Sequence, residues 1–369
     1  MRILHTSDWH LGASYCERSR AAEHASFLDW LLAEIAAREV DVLVVAGDVF
    51  DTANPSAEAL SIYYRFLARL AALEGRTASG GRRTAIVVGG NHDSPARLDA
   101  PRDALAALEA VVVGGYDASR EGQALADASG VLVPVRDGAG EVALVVAAVP
   151  FLNDWRIGVR GFDASAEEQL ASMHERFTEV YARLADKASE RFPGAVLVAT
   201  GHLTCLAQRG ARTSADDAIP YEINRVGTLG ALAPSIFDAR YRYVALGHIH
   251  RGFPVDARVR YSGTPVQVGA VEGADDRHVL VVDVDRDGAR VERVAVPVTR
   301  RLVRVVGTVA EVRRAIDGLR WPEGEHAPFV TIEALLDAPD AGAEHALREH
   351  AARRKPPFEL VGVRTAVVR

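Results

Sequence analysis

The sequence predicts an α/β protein in two parts, a large sheet-centred domain and a small C-terminal α/β domain. Three observations predict it. Short apolar, β-rich runs each stop at a small residue and then offer Asp, Asn or His. Segments with apolar residues at helical spacing lie between those runs, the alternation that covers a sheet with helices. Near Pro297 the pattern changes to strand, helix, strand, helix and strand in short order. The expected domains are therefore 1–297 and 298–369, the second in the range of small domains.

In chain order, residues 2–6 read as a first buried strand. Residues 18–38 carry Phe27, Trp30, Leu31 and Ile35 at helical spacing and read as a helix. Residues 41–46 form the second strand, ending at Gly47-Asp48. A loop follows, and Ser56 is placed to cap a helix that runs to about Leu73. The Gly- and Arg-rich residues 75–83 read as an exposed loop, 84–88 as the third strand and 95–109 as mostly helical. Residues 111–149 suggest short strands with turns, and 164–191 a long amphipathic helix. Residues 195–200 and 241–246 are further strands, with a long unperiodic loop over 207–226 between them. Residues 259–265 and 278–285 look like antiparallel pieces. The last part divides into strands at 302–306, 329–335 and 360–367, with helices at 309–319 and 343–353.

Composition narrows the class. A chain of 369 residues, 49% hydrophobic, can bury a large core. The net charge of −7 gives no prior for nucleic acid, and bound metal ions would change the local balance. The two cysteines, Cys16 and Cys205, form neither a Cys-x-x-Cys pair nor a disulfide framework. No apolar run is long enough to span a membrane. The first residues lead straight into a strand and lack a signal-peptide layout. The expected location is cytoplasmic, associated with the nucleoid.

The chemistry lies at five strand ends: Ser7-Asp8-Trp9-His10, Gly47-Asp48, Gly90-Asn91-His92-Asp93, Gly201-His202 and Gly247-His248-Ile249-His250. In extended chain, residues two apart share a face, so His248 and His250 can face one site. Open α/β sheets gather their sites at the carboxyl ends of strands. Taken singly, Asp8 or Asp48 is an ordinary turn residue, Asn91-His92-Asp93 a polar loop, and His202 a satisfied histidine. Five such segments in one order are poorly explained by coincidence. Asp8, His10, Asp48, Asn91, His202, His248 and His250 are too many ligands for one ion and suit two. A mixed oxygen and nitrogen set fits Mn²⁺, Fe²⁺ or Zn²⁺. Two such ions clamp the attacking and leaving oxygens of displacement at phosphorus. His92 is the expected acid at the leaving oxygen, and Asp93 is expected to orient it.

The motifs Asp-x-His, Gly-Asp-x-x-Asp, Gly-Asn-His-Asp, Gly-His and Gly-His-x-His, in this order, resemble the calcineurin-like metallophosphoesterase superfamily. Their flanks, with Tyr261-Ser262-Gly263-Thr264-Pro265, are similar to the SbcD family, the nuclease subunits of bacterial DNA-repair complexes. The resemblance implies an α/β (α+β) metallophosphoesterase sandwich with a small C-terminal α/β capping domain. It implies two divalent metal ions, Mn²⁺ by the family's dependence, with Asp8, His10 and His250 on one and Asn91, His202 and His248 on the other. Asp48 would bridge, and His92 would be catalytic. The implied activity is that of a DNA exonuclease and endonuclease in double-strand-break repair, recombination and hairpin processing. Implied partners are DNA, an SbcC-type ATPase and a second copy in a homodimer. Family members continue into helices that grip the ATPase; this sequence stops before them, so either the chain is shortened or other surfaces hold the partner. Asp51 stands where other branches have a second histidine, and no role is assigned to it. Arg251, Arg209 and Arg212 are the expected phosphate contacts, with Arg300, Arg301, Arg353, Arg354 and Lys355 as weaker candidates in the cap. Rival readings are a phosphodiesterase or phosphomonoesterase acting on a small or protein substrate, and a non-catalytic docking subunit. Thr52-Ala53 after Asp51 argues against the protein-phosphatase branch.

Overall fold

The structure is a computed structural model that describes residues 1–118, 130–157, 165–207, 231–273 and 276–367. The chain begins with β1 (Arg2–Thr6), a tight hairpin of β2 (Ser14–Tyr15) and β3 (Arg18–Ser19), α1 (Ala21–Ala37), β4 (Val42–Ala46), α2 (Ala57–Ala71) and β5 (Thr84–Val88). Short helices α3 (Pro95–Asp99) and α4 (Arg102–Ala106) lead to β6 (Ala110–Val113), β7 (Leu132–Arg136) and β8 (Val142–Ala147). After α5 (Asp154–Ile157) and α6 (Ala166–Arg191) come β9 (Val196–His202), β10 (Tyr241–Gly247), β11 (Phe253–Pro254), β12 (Val259–Tyr261), β13 (His278–Val284) and β14 (Ala289–Ala295). The last part holds β15 (Arg300–Thr308), α7 (Val309–Gly318), β16 (His326–Leu336), α8 (Ala343–Ala352) and β17 (Glu359–Val367).

Two six-stranded sheets, ordered β14-β13-β1-β4-β5-β6 and β11-β12-β10-β9-β8-β7, pack face to face. Their inner strands are parallel and buried on both sides, which is why they read as unbroken apolar runs. Alternation still sorts the residues. Ile3, Val42, Val44, Ile86 and Val88 face the second sheet. Leu4, Leu43, Val45, Ala85 and Val87 face α1 and α2. Each fully buried side chain of this kind contributes roughly 1.5–3 kcal/mol. Helix α6 covers the outer side of the second sheet through Phe177, Tyr181 and Leu184. The result is a four-layer helix–sheet–sheet–helix sandwich. Ser56 does cap α2, accepting from Ala59 N at 3.2 Å.

Several boundaries differ from expectation. The first helix begins at Ala21 because residues 14–19 form the hairpin, with Cys16 and Glu17 turning it at φ 47° and 66°. The helical stretch 95–109 splits in two because Pro101 has no N–H to continue the ladder. The pieces expected to be antiparallel are so, β12 to β11 and β13 to β1 and β14, while β12 also runs parallel to β10 because β11 reverses the chain between them. The long loop expected over 207–226 lies almost wholly outside the described residues.

The C-terminal capping region is a parallel three-stranded sheet, β15-β16-β17. Helices α7 and α8 cover one face around Val305, Val312, Ile316, Val330 and Leu347. It seats on the sandwich through polar contacts. Glu23 of α1 pairs with Arg20 and, at 2.9 Å, with Arg300. Tyr15 of the hairpin meets Thr331 of β16 at 3.1 Å. Among the described residues no helix is long and apolar enough to cross a membrane.

Candidate metal centre

The parallel strands of both sheets deliver their carboxyl ends to one edge of the sandwich, and every expected ligand lies just past, or at, such an end. Asp8 and His10 follow β1, Asp48 follows β4 and Asn91 follows β5. His202 ends β9, and His248 and His250 follow β10. Four of these residues hold left-handed backbone: Asp8 at φ 53°, His10 at 47°, Asp48 at 48° and His248 at 96°. Such residues cost about 1–3 kcal/mol each and persist only where the surroundings over-determine them. Here the loops after β1 and β4 are laced together, Asp8 N to Gly47 O at 2.9 Å, His10 N to Asp48 O at 3.0 Å and Leu11 N to Val49 O at 2.9 Å.

Close approach requires glycine behind the ligands. A Cβ on Gly90 would lie 2.1 Å from Asp48 Oδ1, and one on Gly47 would lie 2.1 Å from His202 Nδ1. The donors themselves converge. His10 Nε2 lies 3.1 Å from His250 Nε2. Asn91 Oδ1 lies 3.0 Å from His202 Nε2 and 2.8 Å from His248 Nδ1. Asp48 Oδ2 lies between, 3.3 Å from His202 Nε2 and 3.8 Å from His10 Nε2. Asp8, His10 and His250 form one group of mutually close ligand atoms, and Asp8, Asp48 and His202 another. Asp8, His10, Asp48 and His202 are buried, while Asn91 and His92 open the site to solvent.

The donor set fits divalent cations. His10 Nδ1 faces Asp51 Oδ1 at 3.3 Å, and His250 Nδ1 faces Glu272 Oε1 at 3.0 Å. Protons held on those nitrogens leave two Nε2 lone pairs facing each other, an arrangement a cation relieves. His202 donates Nδ1–H to Ala46 O at 2.9 Å, which turns its Nε2 toward the oxygens of Asn91 and Asp48. Burial opposes charge on Asp48, but His202, His10 and His92 outweigh it and hold this carboxylate well below its usual range. Burial likewise opposes charge on His202, yet Asp48 raises it to about 9. Burial and the neighbouring His202 push His248 down to about 3, so it is a neutral donor. The clustered ligands are those of a di-metal site.

The expected orienting role of Asp93 is corrected. Its carboxylate accepts three backbone N–H groups, from Val49 at 3.0 Å, Phe50 at 2.9 Å and Gly90 at 2.9 Å. It is buried between two ligand loops and ties them together. The His92 ring instead donates Nδ1–H to Asp51 O at 2.8 Å. Asp51 and Glu272 were not assigned from sequence. Asp51 neighbours the motif and was legible as a carboxylate in place; Glu272, far along the chain from His250, carried no local signal. Arg251 is exposed at the rim, directly after His250. Arg209 and Arg212 lie outside the described residues. The cap arginines are committed within the protein: Arg300 to Glu23 and Glu359, Arg301 to Glu325, Arg353 to Glu349, and buried Arg354 to Ile316 O.

A family model for calcineurin-like phosphoesterases matches residues 1–252. The chain is 34% identical to a Rhodobacter capsulatus protein named as the SbcD component of the nuclease SbcCD, over 98% of this chain and 87% of the relative. It is 33% identical to the protein of that name from Escherichia coli, over 91% and 78%. The Bacillus subtilis protein of that name is 32% identical over 77% and 66%. With a di-metal cluster at its strand ends and likeness of this breadth, the chain belongs to the calcineurin-like metallophosphoesterase superfamily, as a relative of the SbcD components of SbcCD nucleases.

Proposed function

We propose that this chain is a two-metal-ion DNA nuclease, with exonuclease and endonuclease activity, serving double-strand-break repair, recombination and hairpin processing. The observation that supports the reading is the convergence of Asp8, His10, Asp48, His202 and His250, with Asn91 between His202 and His248, in a site open on the side of Asn91 and His92. The names of its relatives supply the substrate class. In this reading Asp8, His10 and His250 would hold one ion and Asn91, His202 and His248 the other, with Asp48 available to both. Two divalent ions, Mn²⁺ suiting this donor set, would supply Lewis-acid stabilisation of the attacking and leaving oxygens. Asp93 and Asp51 hold the ligand loops and rings in register. His92, held through Nδ1, presents Nε2 to the open side and in its doubly protonated form gives a proton to the leaving oxygen. Arg251 contacts a DNA phosphate, and Arg251→Ala should weaken binding and reduce the salt slope by about one phosphate.

Residues 1–297 are the nuclease domain in this reading and 298–369 its cap. The working assembly is a homodimer bound to an SbcC-type ATPase in the cytoplasm, at the nucleoid. A phosphomonoesterase or small-molecule phosphodiesterase would use the same centre. The test is turnover by the purified chain, with Mn²⁺ or Mg²⁺, of single- and double-stranded DNA beside a small phosphodiester and a phosphomonoester. Mn²⁺-dependent DNA cleavage supports the nuclease. Turnover of the monoester alone overturns it.

A further inference from the structure

His250 is held in place from outside its own loop. Its Nδ1 meets Glu272 Oε1 at 3.0 Å, while its Nε2 points to His10. Glu272 ends a single 3-10 turn, Ala270–Glu272, and its side chain is only 8% exposed. Its second carboxylate oxygen accepts from Val268 N at 2.9 Å. Arg277 closes a triangle behind the pair. Its guanidinium donates to His250 O at 2.9 Å and to Glu272 O at 2.6 Å, and lies 3.5 Å from Glu272 Oε2.

The residue before Val268 reaches the cap. Buried Gln267 accepts from Leu302 N of β15 at 2.9 Å and donates to Leu302 O at 3.2 Å. Its own carbonyl accepts from Arg20 at 2.7 Å. Gln267 therefore pins the chain leading into the Glu272 turn to a cap strand by a two-point amide pairing, and to Arg20, just before α1, by a third bond.

We propose that Glu272 is a positioning residue for His250, and that the capping region, through Gln267, fixes the turn that carries it. The inference rests on His250 being a metal ligand. A carboxylate accepting Nδ1–H fixes the tautomer and ring angle that aim the Nε2 lone pair at an ion, and makes that nitrogen more basic. His202 receives only a neutral carbonyl in the same role. The cap is then a structural part of the metal centre.

The experiment is calorimetric titration of Mn²⁺ into the metal-free full chain. It compares the parent, His250→Ala, Glu272→Ala, Glu272→Gln and Gln267→Ala. Thermal unfolding in chelator confirms that each variant is folded. The parent takes two ions, and His250→Ala loses or strongly weakens one. Glu272→Ala weakens that same ion by about 10–100-fold, the range for outer partners of metal-bound histidine. Glu272→Gln, which keeps an acceptor without the charge, falls between. Gln267→Ala weakens the same ion by a smaller factor and leaves the other at parental affinity. If His250→Ala loses an ion while both Glu272 variants bind two as the parent does, the positioning role is overturned and the ligand reading stands. Parental affinity in Gln267→Ala alone overturns the part assigned to the cap. If His250→Ala binds both ions normally, the ligand reading itself fails. Should Glu272→Ala not fold, Glu272→Gln and Gln267→Ala decide the matter.

Discussion

The backbone oxygen of Asp51 accepts from His92 Nδ1 at 2.8 Å, while the side chain of the same residue faces His10 Nδ1 at 3.3 Å. One residue thus holds His92 by its backbone oxygen and sets its carboxylate beside the metal-centre His10. The two roles separate by mutation. Asp51→Ala removes only the side chain, so it should weaken metal binding by about 10–100-fold while excess Mn²⁺ restores turnover. His92→Ala should leave metal binding intact and lower turnover by about 10²–10⁴ at any metal concentration. Rates measured against Mn²⁺ concentration distinguish them, and rescue of His92→Ala by metal would contradict the assignment.

Metal loading should depend on pH through His202. Without metal, Asp48 raises this imidazole from 6.5 to about 9 despite burial. The raised value means that the pair's stabilisation of the metal-free fold is fully present below about pH 6.5 and is lost as pH rises through 9. A metal ion needs the neutral ring, so loading must expel that proton. Apparent Mn²⁺ affinity should rise by up to about tenfold per pH unit below 9 and then level. A flat profile from pH 7 to 9 would count against a proton on His202.

Gly90 gives a steric test. A methyl group there would stand 2.1 Å from Asp48 Oδ1, and Asp48 is buried with no room to retreat. Gly90→Ala should cost about 1–3 kcal/mol of stability, the usual range for overpacking, and abolish binding of both ions. Chemical denaturation and metal titration read the two effects. A variant that still binds two ions would show that Asp48 is not shared.

The candidate ligands were legible as a group because each sits where an apolar run stops, and strand ends in an α/β sheet share an edge. Asp8, Asp48 and His202 could be placed without knowing the sheet order. The mutual packing of the two sheets was not legible, because strands buried on both faces carry no alternation to say which neighbour they meet. Asp93 was misassigned for a related reason. Adjacency to His92 suggested contact, but successive side chains diverge, and Asp93 turned inward to the N–H groups of Val49, Phe50 and Gly90. Glu272 was missed because its partner is distant in sequence. The cap arginines read as a charged run in the sequence, yet Arg354 is buried against Ile316 O and Arg353 pairs with Glu349.

Glu23 anchors the cap. Its side chain is 3% exposed and lies between Arg20, 2% exposed, and Arg300, 12% exposed. Removing one member of a buried ion group leaves the others uncompensated, at about 3–5 kcal/mol. Glu23→Ala should lose stability on that scale and Glu23→Gln less, by urea denaturation. A loss below about 1 kcal/mol, the worth of an exposed pair, would contradict a buried anchor.

As proposed, the seven strand-end residues form a two-metal centre that cleaves DNA with His92 as its acid. The most direct measurement is single-turnover cleavage of a DNA duplex by the purified chain and by His92→Ala, each with its bound Mn²⁺ counted in the same sample. Two ions per chain in both proteins, cleavage in the parent, and a loss of about 10²–10⁴ in the variant are expected. Equal cleavage by both proteins, or cleavage by a parent holding no metal, would contradict that proposal.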